Sequence, residues 1–81
     1  MPKVFVKDGH KFFFFSNEGK PLEPMHIHVR KAEAVAKFWM YPEVRLESAY
    51  SFSSKELKWL EKQIEQNRTL IEDTWNGYFN Q

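Results

Sequence analysis

The chain contains no cysteine, which excludes disulfide staples and thiolate metal sites and leaves nothing that requires an oxidising compartment; a cytoplasmic protein is the expectation. Long apolar runs are also missing. The opening Met-Pro-Lys-Val-Phe-Val-Lys-Asp lacks the core of a signal peptide, and no stretch approaches the roughly 18 residues of a membrane span, so no membrane contact is expected. Charge of one sign is hardly in excess: 12 basic against 11 acidic residues leave +1. Such a chain exerts no global pull on nucleic acid, and any basic patch must be local. Volume is short as well. With 81 residues, 1–81 form a single domain, and a chain of this size buries only about 60 to 65% of its unfolded surface. Functional groups must therefore sit on an open face, at an edge or in a dimer cleft. Aromatic rings are what is plentiful. Eight Phe and three Trp, each able to bury roughly 150 to 250 Å², compensate for the small core.

The first half, residues 1–50, reads as a β-meander. Val4 to Val6 and Lys11 to Phe15 flank Asp8-Gly9, a pair that supplies the positive φ angles of a type I′ hairpin turn. Four consecutive phenylalanines, Phe12 to Phe15, break alternation and place rings on both faces of the sheet. Ser16 to Pro24 is dense in breakers and reads as a loop. Met25 to Lys31 and Val35 to Tyr41 read as the third and fourth strands, and Val44 to Glu47, next to Pro42, as a short edge strand.

Residues 52–79 read as one long helix. Ser53-Ser54-Lys55-Glu56 is a capping box, with Phe52 and Leu57 as its hydrophobic staple. Leu57, Leu60, Ile64, Ile71, Trp75 and Tyr78 then form one apolar stripe ending near Gly77. Asn67 and Arg68 interrupt it. The expected fold is α+β: a four-stranded, mostly antiparallel sheet with one long C-terminal helix packed on one face.

The segment from Glu23 to Arg30 carries the most chemically capable side chains. On a strand, Met25, Ile27 and Val29 face one way and His26, His28 and Arg30 the other. His26 and His28, with Cα atoms roughly 6.5 Å apart, are the candidate acid and base, and form a weak metal pair that Glu23 or His10 would have to complete. The alternative is a polar, solvated sheet face. Lys37 joins the histidines only if Ile27 pairs opposite Phe38, a register that also spares a lysine from burial. With Arg30, Lys37, Trp39 and two of the phenylalanines, the face becomes a basic, ring-studded surface of the kind that binds single-stranded RNA by stacking and phosphate pairing; burial of the same rings in a homodimer or partner interface is the competing reading. Arg68 either snorkels to Glu65 or Glu72 or reaches the sheet edge toward Glu23.

On Phe12 to Glu18, Glu23-Pro24-Met25-His26-Ile27-His28-Val29, Lys37-Phe38-Trp39, Ser53 to Leu57, Asn67-Arg68 and Trp75-Asn76, the chain resembles a widespread bacterial family of small proteins of unknown function. The resemblance implies a component of a toxin–antitoxin module, encoded beside a second small protein that would be its partner. It points to Glu23, His26, His28, Lys37, Asn67, Arg68 and Trp75 as the matching positions. Ser51 departs from it, standing where the family usually has glycine. The combined expectation is a module component contacting RNA through a face of His26, His28, Arg30, Lys37, Trp39 and Arg68, with Glu23 and Asn67 in support and no cofactor. The alternative is a non-catalytic domain that meets a partner chain or metal ion through the same histidines.

Overall fold

A computed structural model of the chain describes residues 3–15 and 23–79. The expected loop from Ser16 to Pro24 falls, for residues 16–22, outside them. The architecture is α+β, an antiparallel sheet of five strands in the order β1-β2-β3-β4-β5 with two helices. The strands are β1 (Lys3–Lys7), β2 (His10–Phe13), β3 (His26–Lys31), β4 (Ala34–Trp39) and β5 (Arg45–Tyr50); the helices are α1 (Ser54–Gln66) and α2 (Arg68–Phe79).

Local chemistry explains the turns. Asp8 and Gly9, at φ 49° and 79°, join β1 to β2 with Lys7 opposite His10, as a two-residue hairpin requires. Ala32, at φ 54°, plays the left-handed part between β3 and β4, where Lys31 pairs with Ala34.

Alternation then sorts the sheet into two faces. Phe12, Phe14, Ile27, Val29, Ala36, Phe38 and Met40 turn toward the helices and are buried with Leu60, Ile64, Ile71 and Trp75. Burying each large aliphatic or aromatic side chain contributes about 1.5 to 3 kcal/mol, so these rows hold the two layers together. Ile27 stands opposite Phe38, the expected register, since a one-residue slip would turn Lys37 into the core. The Phe12 to Phe15 run divides as alternation requires: Phe12 and Phe14 in the core, Phe13 and Phe15 toward the face away from the helices.

Two details depart from the sequence reading. The sheet has five strands because Arg45–Tyr50 is a full strand paired along β4, with a register shift between Lys37 and Phe38. The long helix is two helices. Asn67, at φ −110° and ψ 21°, ends α1: its Nδ2 donates to the Gln63 carbonyl at 2.8 Å, and its own carbonyl accepts the Ile71 N–H at 3.0 Å to start α2. Asparagine competes for backbone groups in this way and favours helix ends over interiors. Beyond the break, Tyr78 is exposed, and Phe79 packs on the core in its stead. The α1 start is the expected capping box, with Ser53 Oγ accepting the Glu56 N–H at 3.1 Å and Glu56 Oε1 accepting the Ser53 N–H at 2.8 Å. Among the described residues no helix is long and apolar enough to cross a membrane.

Candidate functional site

The face away from the helices is built of cross-strand rows. One runs Phe13, His28, Lys37, Ser48 and the next Val6, Lys11, Arg30, Val35, Tyr50, each residue directly opposite the one that follows. Between them lies a groove of about 380 Å³ lined by Phe13, Phe15, His28, Arg30, Lys37 and Tyr50, among others. That volume falls in the lower part of the range for small-ligand sites, roughly 300 to 1,000 Å³. Three aromatic rings, two permanent cations and one imidazole thus share one concave surface.

His28 is at its centre. Its ring lies 5.6 Å from Phe13 in a stacked arrangement and 4.5 Å edge-on to Phe15, so two rings hold the half-buried imidazole in place. Lys37, directly across on β4, is held twice: Nζ lies 3.4 Å from Glu23 Oε1 and 4.6 Å from the centroid of the Trp39 ring. Alternation groups His28, Arg30, Lys37 and Trp39 on one face, while Glu23, of the opposite parity, reaches Lys37 from the segment before β3. Trp39 is half-buried beneath Lys37 and beside His26 and does not line the groove.

His26 departs from expectation. Parity assigns it to the open face, yet it is fully buried. The ring is packed 5.6 Å from Trp39 and 5.2 Å from Trp75 of α2, and its Nδ1–H donates to the Pro24 carbonyl at 2.8 Å. His26 and His28 are neighbours, with ring centroids 5.1 Å apart and planes at 88°. Only His28 of the two lines the groove, so the two imidazoles do not form an exposed acid and base pair.

Arg68 and Asn67 lie outside the groove. Arg68 Nε donates to Glu72 Oε2 at 3.0 Å, Nη2 to the Met40 carbonyl at 3.0 Å, and the guanidinium lies 5.1 Å from the Tyr41 ring. Tyr41 donates its hydroxyl to the same Glu72 oxygen at 2.9 Å. The Arg68 guanidinium, seconded by Tyr41, holds the Glu72 carboxyl below its ordinary range, and the carboxylate in turn raises Arg68 above its own. Arg68 therefore ties α2 to the end of β4 and does not line the groove. Asn67 shapes the helix junction.

His10, a candidate third metal ligand, is on the other side of the sheet. It is buried 4.9 Å from the Trp59 ring, with Nδ1 donating to the Lys7 carbonyl at 3.2 Å; its Nε2 has no hydrogen-bond partner among the described residues. Among the described residues no three His, Asp or Glu side chains stand together so as to hold a metal ion. Three residues of the groove, Ser48, Ala49 and Tyr50, were missed from the sequence. Tyr50 lay beyond the expected edge strand, and Ser48, opposite Lys37, went with it. Their side does not follow from continuing the alternation from Arg45, because the register shift between Lys37 and Phe38 reverses it: Arg45 stands opposite Trp39, and Ser48 opposite Lys37.

No curated protein and no solved structure matches the chain. A family model described as a domain of unknown function, DUF4160, matches residues 9–76, a span that takes in every strand but β1, the whole groove and the helices through Trp75, and the chain belongs to that family.

Proposed function

We propose that the open face is an RNA-binding surface, acting within a toxin–antitoxin module, and that it binds single strands by stacking bases in the groove. The observation that carries this reading is the convergence of exposed rings and cations on one concave surface: Phe15 and Tyr50 are 39% and 65% exposed, and Arg30 and Lys37 line the same groove. Exposed rings cost solvation when nothing covers them, whereas a base stacked on an aromatic side chain gains about 1 to 3 kcal/mol. Nearby cations then pair with phosphate. The geometry favours binding over cleavage, since His26 is sealed beneath Trp75 and only His28 could transfer a proton at the surface. The module assignment rests on the resemblance carried by Glu23-Pro24-Met25-His26-Ile27-His28-Val29.

A second reading has its own observation. All six residues of β5 are exposed, Leu46 and Tyr50 among them, and an open sheet edge is a template for a strand of a partner chain. A protein encoded by a neighbouring gene would fit there.

Fluorescence anisotropy with a short labelled RNA separates the two. The RNA reading expects binding at low salt that weakens about 10-fold or more in the Phe15→Ala/Tyr50→Ala variant. Absence of binding by the unmodified protein at about 50 mM salt, together with a salt-insensitive complex with the neighbouring gene product, would transfer the function to the β5 edge. Total RNA examined after inducible expression of wild type and His28→Ala tests cleavage: fragments that vanish with His28 would restore a ribonuclease reading.

A further inference from the structure

The β2–β3 register sets Lys11 directly opposite Arg30. Both side chains are exposed, and neither makes an ion pair among the described residues. Like charges directly opposite on adjacent strands oppose pairing, and their row, Val6, Lys11, Arg30, Val35, Tyr50, contains no carboxylate to relieve them. Lys37 and Arg68, by contrast, are each paired, with Glu23 and with Glu72. With a net charge of only +1, two unrelieved cations side by side are a local concentration that overall composition does not explain.

Their position gives the concentration a use. Arg30 lines the aromatic groove, and Lys11 stands on its far side from Val35. Directly opposed residues have Cβ atoms about 4.5 to 5.5 Å apart, so a guanidinium and an ammonium extending from them can close on one tetrahedral anion. An arginine supplies the bidentate fork and a lysine the point charge. Lys37 is a poorer choice, because its ammonium already serves Glu23 and Trp39.

We propose that Lys11 and Arg30 form a phosphate clamp for the backbone of the single strand whose bases occupy the groove. This rests on the RNA-binding reading and adds the path of the phosphodiester: over β2 and β3 beside the groove, not over His28 and Lys37. A phosphate between the two cations replaces repulsion with charge-assisted hydrogen bonds, two from the guanidinium fork and one from the ammonium.

The test is the salt dependence of binding of a labelled oligouridylate of about eight nucleotides to the full chain, wild type against Lys11→Gln/Arg30→Gln, with Lys58→Gln on α1 as control. Each phosphate contact on a single strand contributes about 0.7 to the slope of log K against log salt. The double variant is expected to lower that slope by about 0.7 or more, to keep a Tm no lower than wild type because the repulsion is gone, and to differ from Lys58→Gln, whose slope stays that of wild type. If wild type binds and the double variant keeps the full slope, the clamp is wrong while the stacking groove stands. If wild type itself fails to bind at about 50 mM salt, both fall. Should the double variant lose its circular dichroism signature, Lys11→Thr carries the same comparison with a residue suited to strands.

Discussion

The indole of Trp75 and the imidazole of His26 lie 5.2 Å apart with their planes at 65°. Through this contact the second helix reaches the first residue of β3. The same indole meets Phe14 edge-on at 5.0 Å and Phe79 at 4.4 Å, so one side chain of α2 joins β3 to the segment that follows β2. Trp75→Ala should cost about 3 to 5 kcal/mol, the usual loss for a large buried aromatic. Chemical denaturation measures it, and an unchanged midpoint would remove Trp75 from the core.

The two neighbouring histidines should separate cleanly under mutation. His26→Ala leaves a cavity and an unpaired Pro24 carbonyl, and should cost about 2 to 4 kcal/mol. His28→Ala, from a half-buried position, should cost at least about 1 kcal/mol less, and on the RNA-binding proposal a loss of RNA affinity should be its main effect. Equal destabilisation by both would mean that His28 is as much a core residue as His26.

The Arg68, Glu72 and Tyr41 cluster predicts an acid limb. Because the Glu72 carboxyl is held below its ordinary range in the folded state, the unfolded chain takes up the proton first as pH falls. The stabilisation is complete above the ordinary glutamate value of about 4.3 and is lost as pH drops through the lower folded value. The pair is partly exposed, 34% for Arg68 and 26% for Glu72, which limits its worth to about 1 kcal/mol. Glu72→Gln should therefore be less stable at neutral pH and show a shallower loss below pH of about 4. Thermal unfolding of both proteins from neutral to acid pH checks this; parallel curves would show that other carboxylates govern acid unfolding.

Ser51 has φ 65°, the left-handed region, directly before the helix-capping segment. A residue with a Cβ pays about 1 to 2 kcal/mol there, against roughly 0.5 to 1 kcal/mol of extra chain entropy for glycine. Ser51→Gly should raise Tm by about 2 to 8 °C for a domain of this size. A lower Tm would mean that the serine makes a compensating interaction.

What was legible in the sequence was local. Asp8-Gly9 announces its turn, Ser53 and Glu56 their cap, and the register of Ile27 on Phe38 follows from keeping Lys37 out of the core. What was hidden depends on distant partners or on weak patterning. Alternation assigns His26 a side, but its burial is decided by Trp75, which lies far along the chain. Strand β5 shows no burial contrast, all six residues being exposed, and Pro42 beside it argued for something shorter. Asn67 announced a disturbance in the apolar stripe, but only its hydrogen bonds to Gln63 and Ile71 make it a helix boundary. For the site, His28, Arg30, Lys37 and Trp39 share a face because strand periodicity requires it, whereas Glu23 reaches Lys37 from before β3; for Arg68 the sequence offered Glu72 as a partner, which it has, and the groove, which it does not line.

The strand order β1-β2-β3-β4-β5 means that every pairing in the sheet is with a sequence neighbour. Ladders of this kind close short loops and form early, and a chain emerging from the ribosome can add each strand to the last as it appears. The helices arrive after the sheet is complete. Until Leu60, Ile64, Ile71 and Trp75 are available, the face of Phe12, Phe14, Ile27, Val29 and Phe38 has no cover, so a nascent or truncated chain ending before residue 54 presents that face to solvent and depends on a chaperone or a neighbour to stay out of aggregates.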